Sequence, residues 1–250
     1  MPVTLRSPRE IDKLRRSGQA VRQVLELVRQ AVKPGASTMD LERIAIAEMK
    51  KLGATPAFKG YHGYPTALCT SINQEVVHGI PSDKRVLKEG DIVSIDTGVV
   101  LEGYYGDSAV TVPVGSKIDT TTQRLIRATQ RSLDLAIEAA QAGARMGDIG
   151  AAVQEVVEGE GFSIVREFVG HGIGTRLHEE PQVPNWGKRG SGMKLKPGMV
   201  FAIEPMVNIG NASVKVLADK WTAVTMDGSM SAHFEHCVAI TENGPQVLTN

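Results

Sequence analysis

Apolar and polar positions alternate at helical spacing from about Pro8 to Val32 and again from about Thr38 to Leu52, so each segment is expected to form an amphipathic helix. The same pattern returns from about Thr121 to Ala142 and from Met146 to Glu160. The two stretches are related by an offset of 108 residues. Gly35-Ala36 recurs as Gly143-Ala144, Asp40-Leu41 as Asp148-Ile149, Gly53 as Gly161, and Leu25 and Leu27 as Leu133 and Leu135. Each half therefore reads helix, Gly-Ala turn, helix, glycine, strand, which predicts an internally repeated α+β fold. No linker or low-complexity tract divides the chain, and the Gly- and Lys-rich stretch 187–196 reads as a surface loop. One domain over residues 1–250, with halves of roughly 1–112 and 113–250, is the expected organisation.

Between and after the helices lie strand-like runs that contain residues a core should reject. Asp91 to Val100 and Gly103 to Val112 read as a hairpin with a tight turn near Leu101 and Glu102. A turn between those two residues would set Asp96 directly opposite Asp107, about 4.5 to 5.5 Å apart at Cβ, where two like charges repel unless a cation lies between them. His171 sits in Gly170-His171-Gly172-Ile173-Gly174, whose alternate glycines let the backbone approach a ligand closely. Glu204 and Glu235 each interrupt an apolar run, with no neighbouring Lys or Arg in sequence. An ionised carboxylate buried unpaired costs several kcal/mol. Four carboxylates and one imidazole in such settings point to metal, and two divalent cations would cancel the four negative charges.

These segments, together with Asn73-Gln74-Glu75-Val76-Val77-His78-Gly79-Ile80-Pro81 and His178-Glu179-Glu180-Pro181, resemble the methionine aminopeptidases of peptidase family M24 in order, spacing and flanking residues over nearly the whole chain. The type II insertion between the histidine and glutamate motifs is absent, so the resemblance is to the short, bacterial-style type I form. It implies a pita-bread (creatinase/aminopeptidase) fold, two related α+β halves about a pseudo-two-fold axis. It also implies a cytoplasmic hydrolase that removes the initiator methionine when the second residue is small. By the same resemblance, Asp107 and Glu235 bridge two divalent ions, Asp96 completes one site, and His171 and Glu204 complete the other. Glu204 is the expected proton acceptor, His178 the donor to the carbonyl oxygen, and His78 a contact near the scissile amide. Phe58, Tyr61, Tyr64, Cys69, Leu177 and Trp221 are expected to line the methionine pocket, where Leu177 replaces an expected aromatic residue. The oxygen-rich ligand set favours Co, Fe or Mn, with Zn or Ni as alternatives. His62, His233 and His236 read as structural.

Composition narrows the setting. Lys and Arg number 28, as do Asp and Glu, so no net field recruits nucleic acid or anionic lipid. Two cysteines do not make a disulfide framework, and the start of the chain lacks an apolar leader. A cytoplasmic protein with no membrane association is expected, and the family resemblance implies a monomer acting on nascent polypeptide N-termini with transient ribosome contact. The chain opens Met1-Pro2, so it should be its own substrate. An Xaa-Pro peptidase of the same fold usually carries a further amino-terminal domain. A binding module that had lost activity would be expected to have lost ligands too.

Overall fold

Helix boundaries follow from side chains that complete the first-turn hydrogen bonds. In the computed structural model, which describes residues 2–250, helix α1 spans Pro8–Ala31 and is capped reciprocally by Ser7 and Glu10. Helix α2, Thr38–Lys51, begins with the same device made by Ser37 and Asp40. Helix α3, Thr120–Ala139, is capped by Asp119, and helix α4 spans Met146–Gly159. The expected continuation of α3 to Ala142 does not occur. Ala140 leaves helical geometry at ψ 51°, and the chain turns through Gly143 at φ 90°.

The 108-residue offset carries α2 onto α4 end to end and the short strand Thr55–Pro56 onto Ser163–Ile164. It also relates the pairing of Ser37 with Val86 to that of Arg145 with Lys194. The Gly35 amide donates to Leu87 O at 2.8 Å and the Gly143 amide to Leu195 O at 2.9 Å, so even the turn after the first helix of each pair is anchored alike.

A nine-stranded sheet receives the helices on one face. Its main order is Thr55–Pro56, Ile92–Leu101, Tyr104–Pro113, Glu235–Thr241, Val200–Ile203, Gly170–Gly172 and Glu179–Val183. Leu68–Ile72 adds to Ile92–Leu101, and Gly244–Val247 to Glu235–Thr241. The sheet and the related helix pairs have the twofold-repeated α+β architecture that the pita-bread expectation implies. One core lies under α1 and α2 around Val24, Leu41, Met49 and Ile95, and the other under α3 and α4 around Leu133, Ile149, Phe201 and Val238. Each such side chain, fully buried, contributes about 1.5–3 kcal/mol. Helix α1 lies almost on the strand below it, since a Cβ at Gly106 would come within 2.8 Å of the Ser17 backbone. Among the described residues no helix is long and apolar enough to cross a membrane.

Candidate metal centre and pocket

Five strands that are neighbours in the sheet each deliver one candidate ligand. Ile92–Leu101 carries Asp96, Tyr104–Pro113 carries Asp107, Glu235–Thr241 begins with Glu235, Glu204 follows Val200–Ile203, and Gly170–Gly172 carries His171. The hairpin register differs from the expectation. The turn is at Glu102-Gly103, with φ of 51° and 79°, and Asp96 pairs with Ala109 while Asp107 pairs with Gly98. Positive φ at both turn residues is the I′ geometry that matches the twist of the strands. Because the slip is by two residues, both aspartates keep the same face and become diagonal neighbours.

Ligand atoms of Asp107, His171 and Glu235 all lie within 4.8 Å of one another. His171 Nε2 is 3.6 Å from Glu204 Oε1 and 4.0 Å from Asp107 Oδ2. Asp96, a diagonal neighbour of Asp107 on the same face of the hairpin, joins the cluster, and its charge helps to raise the protonation equilibrium of Asp107. Within this cluster Asp96 Oδ1, Asp107 Oδ1 and Glu235 Oε1 are buried without a hydrogen-bond partner. Such orphaned acceptors are costly in a native interior unless something positive meets them. His171 Nδ1 lies 3.0 Å from Gly172 O, so its N–H donates there and the Nε2 lone pair faces the carboxylates. The donor set of carboxylate oxygens and one imidazole therefore fits divalent cations.

Crowding shows in the protonation equilibria. Burial raises Asp96 to about 7, and burial followed by neighbouring carboxylates raises Asp107, Glu204 and Glu235 well above the usual range. Burial depresses His171 and His233 to about 3 and His78 to about 4. These shifts predict how the metal-free protein responds to pH. Raised carboxylates bind more protons folded than unfolded, so their stability contribution is lost as pH rises through the folded values. The depressed histidines act oppositely, but only below their ordinary value of about 6.5. Between about pH 6.5 and 8.5 the carboxylates act alone, and the thermal midpoint in excess EDTA should fall by several degrees, at roughly 2–4 °C per kcal/mol for a chain of this size. Saturating Mn²⁺ should abolish the slope. A midpoint in EDTA that climbs across this range would contradict the clustering.

Beside the cluster opens a cavity of about 180 Å³. It is lined by every residue expected in the site, namely Phe58, Tyr61, Tyr64, Cys69, His78, Leu177, His178 and Trp221 with the five candidate ligands. Tyr64 turns its hydroxyl away to donate to Leu68 O at 3.0 Å and offers its ring to the cavity, edge to face with Trp221 at 5.1 Å between centroids. Cys69 is paired in register with Asp96, which places the thiol at the junction of pocket and cluster. His78 adopts φ 62°, a left-handed conformation uncommon for a residue with a side chain, and its ring meets Phe168 and Trp221 edge-on. His178 stands at the mouth, 4.1 Å from His171 between ring centroids, with Nδ1 2.8 Å from the Tyr61 hydroxyl. Enough protein surrounds its ring to depress its pKa, with His62 adding to the effect.

His233, read as structural from sequence, also lines the cavity. It is 2% exposed, its Nε2 lacks a partner, and that atom lies 4.0 Å from Glu204 Oε2. The signal was its place two residues before Glu235, which in extended chain sets both on one side. Val77, Phe168, Val169 and Met206 complete the lining and were likewise missed. His62 is exposed next to Tyr61, and His236 is bonded to Thr249.

Comparison with known proteins agrees with this geometry. The sequence is 51% identical over 247 residues to "Methionine aminopeptidase 1" of Bacillus subtilis, covering 99% of each chain. The crystal structure of a methionine aminopeptidase from Thermotoga maritima superposes with a TM-score of 0.98 at 48% identity, covering 100% of both chains. A prolidase from Pyrococcus horikoshii shares the fold at TM-score 0.78 and 22% identity, over 98% of this chain and 63% of that one. With residues 12–242 also matched by the model of metallopeptidase family M24, the chain belongs to that family.

Proposed function

We infer that this chain is a methionyl aminopeptidase of the short type I form, hydrolysing the bond after an N-terminal methionine when the next residue is small. The observation that carries the reading is the junction of an apolar aromatic pocket with the carboxylate cluster, at Cys69 and Asp96. The cavity of about 180 Å³ spans both the candidate ligands and the apolar wall, so a side chain seated against that wall lies directly beside the carboxylates. The Tyr64, Trp221 and Cys69 lining suits a thioether, at about 0.3–1.5 kcal/mol per sulfur–aromatic contact.

The site residues divide the work. Asp107 and Glu235 would be held in common by two divalent ions, with Asp96 serving one and His171 and Glu204 the other; the closeness of Glu204 to His171 and of Asp107 to His171 and Glu235 supports this division. The ions, when bound, supply water activation and polarisation of the scissile carbonyl. The Tyr61 hydroxyl lies 2.8 Å from His178 Nδ1, and the tautomer in which it donates there leaves the imidazole proton on Nε2. That proton is directed to the carbonyl oxygen as charge develops there. Glu204 takes a proton from the attacking water. His78, on its turn above Trp221, contacts the amide being cleaved. Residues 1–112 and 113–250 form one catalytic unit, since the first supplies two ligands and the second three.

The natural substrates are nascent polypeptide N-termini in the cytoplasm, met by a monomer in passing contact with ribosomes. Met1, whose removal the sequence predicts, lies outside the described residues. The deciding experiment is hydrolysis of Met-Ala-Ser by protein stripped with chelator and reloaded with Mn²⁺, Fe²⁺, Co²⁺, Zn²⁺ or Ni²⁺ in turn. Release of methionine with at least one metal, and no cleavage of an Xaa-Pro dipeptide in which Xaa is not methionine, is expected. Cleavage of Xaa-Pro alone would reject the reading.

A further inference from the structure

Arg6 lies before the first helix and belongs to none of the roles above, yet it is buried under the loop that carries His178. Its guanidinium forms an ion pair with Glu179, with Nη2 donating to Glu179 Oε2, and the two side chains are 6% and 7% exposed. The other oxygen of Glu179 organises the loop. Oε1 accepts from the backbone amides of Thr175 at 2.9 Å and Arg176 at 3.1 Å. The loop from Ile173 to His178 thus folds around one carboxylate, and that carboxylate is held from the other side by Arg6.

The surroundings are shaped to admit the arginine. A Cβ on Gly174 would fall 1.9 Å from Arg6 Nη2, and one on Gly198 2.9 Å from Arg6 O. The Arg6 amide donates to Gly198 O at 2.7 Å, which fixes the backbone as well as the side chain. Gly174 O in turn accepts from the Tyr105 amide at 2.8 Å, tying the start of the loop to the strand that carries Asp107. Surface ion pairs contribute little, but a buried carboxylate that also bonds two amides holds its loop only while its charge is balanced.

We propose that Arg6 is a positioning residue for the reaction: it clasps Glu179 and thereby sets the loop that aims His178 at the scissile carbonyl. The inference rests on the peptidase reading through His178, while the clasp itself is a statement about the loop. It needs no contact between Arg6 and substrate. Its consequence is that the N-terminal segment is part of the catalytic apparatus.

The test is a double-mutant cycle on Mn²⁺-loaded full-length protein, with a measurement on the loop alongside. A misplaced catalytic group costs on the order of 100-fold, so Arg6→Met should lower kcat on Met-Ala-Ser by about that factor with KM within about threefold. In a His178→Ala background the same change should cost less than about threefold, because the group it aims is gone. Arg6→Lys keeps the buried charge but loses the fork, and should cost about tenfold with His178 present and almost nothing without it; it carries the test if Arg6→Met does not fold. Amide hydrogen exchange at Thr175 and Arg176 should quicken at least about tenfold in either variant. Equal kcat losses in both backgrounds, a wild-type kcat, or unchanged exchange at these two amides would overturn the clasp. A parent protein that does not cleave Met-Ala-Ser, with exchange still responding to Arg6, would overturn the activity and leave the clasp standing.

Discussion

Asp107→Asn or Glu235→Gln is expected to reduce turnover of Met-Ala-Ser to at most about 1% of the parent, since even outer partners of metal ligands cost 10- to 100-fold and these residues stand nearer. Both substitutions keep size and remove one negative charge from a cluster of four. With a shared carboxylate lost, excess positive charge accumulates between the ions and one should leave, so metal analysis should find about one equivalent rather than two. The substitution also relieves repulsion in the metal-free state, where burial and then Asp96 and Glu204 raise the protonation equilibrium of Asp107, and burial and then Asp107 and Glu204 raise that of Glu235. In EDTA at pH 8 either variant should therefore melt above the parent. Near-parental activity with two ions bound would defeat the dinuclear assignment, and a lower melting point in EDTA would defeat the electrostatic account.

His178→Ala should lower kcat by about 100- to 1,000-fold while changing KM much less. The imidazole is held by the Tyr61 hydroxyl at 2.8 Å, and the role proposed for it is to meet charge that exists only as the bond breaks. Ground-state binding is left mainly to the aromatic pocket, of which the substitution alters only the contact with Tyr61. Tyr61→Phe should give a smaller loss of the same kind, because it frees the ring without removing it. If His178→Ala raised KM at constant kcat, the residue would bind substrate and no more.

The elements were legible where local chemistry decides them. Ser7, Ser37 and Asp119 are strong N-caps, and α1 and α2 end within one residue of expectation. The end of α3 was overextended to Ala142, although the repeat held the answer: Ala31, where α1 ends, corresponds at the 108-residue offset to Ala139, where α3 ends. The candidate ligands stood out because Glu204 and Glu235 interrupt apolar runs, and the structure brings all five together. The hairpin register was misread although a signal was present: both candidate turns contain Glu102, but the one at Glu102-Gly103 gives the other positive-φ position to glycine, whereas the one at Leu101-Glu102 would give it to leucine. His233 was passed over for lack of a motif, although its spacing from Glu235 held the information. The pairing of Arg6 with Glu179, 173 residues apart, leaves no local trace at all.

The strand Glu235–Thr241 comes almost last in the chain but lies between Tyr104–Pro113 and Val200–Ile203 in the sheet. A polypeptide emerging from its N-terminus therefore presents the Tyr104–Pro113 edge, with Asp107 upon it, long before its neighbour has been synthesised. Pairings so distant in sequence form slowly, and the open edge must stay out of contact with other strands meanwhile. The sheet is closed from the middle by its final segment. A translating copy thus has no assembled cluster until nearly the whole chain is free, and truncation anywhere before Thr241 should yield an aggregation-prone product rather than a weak enzyme.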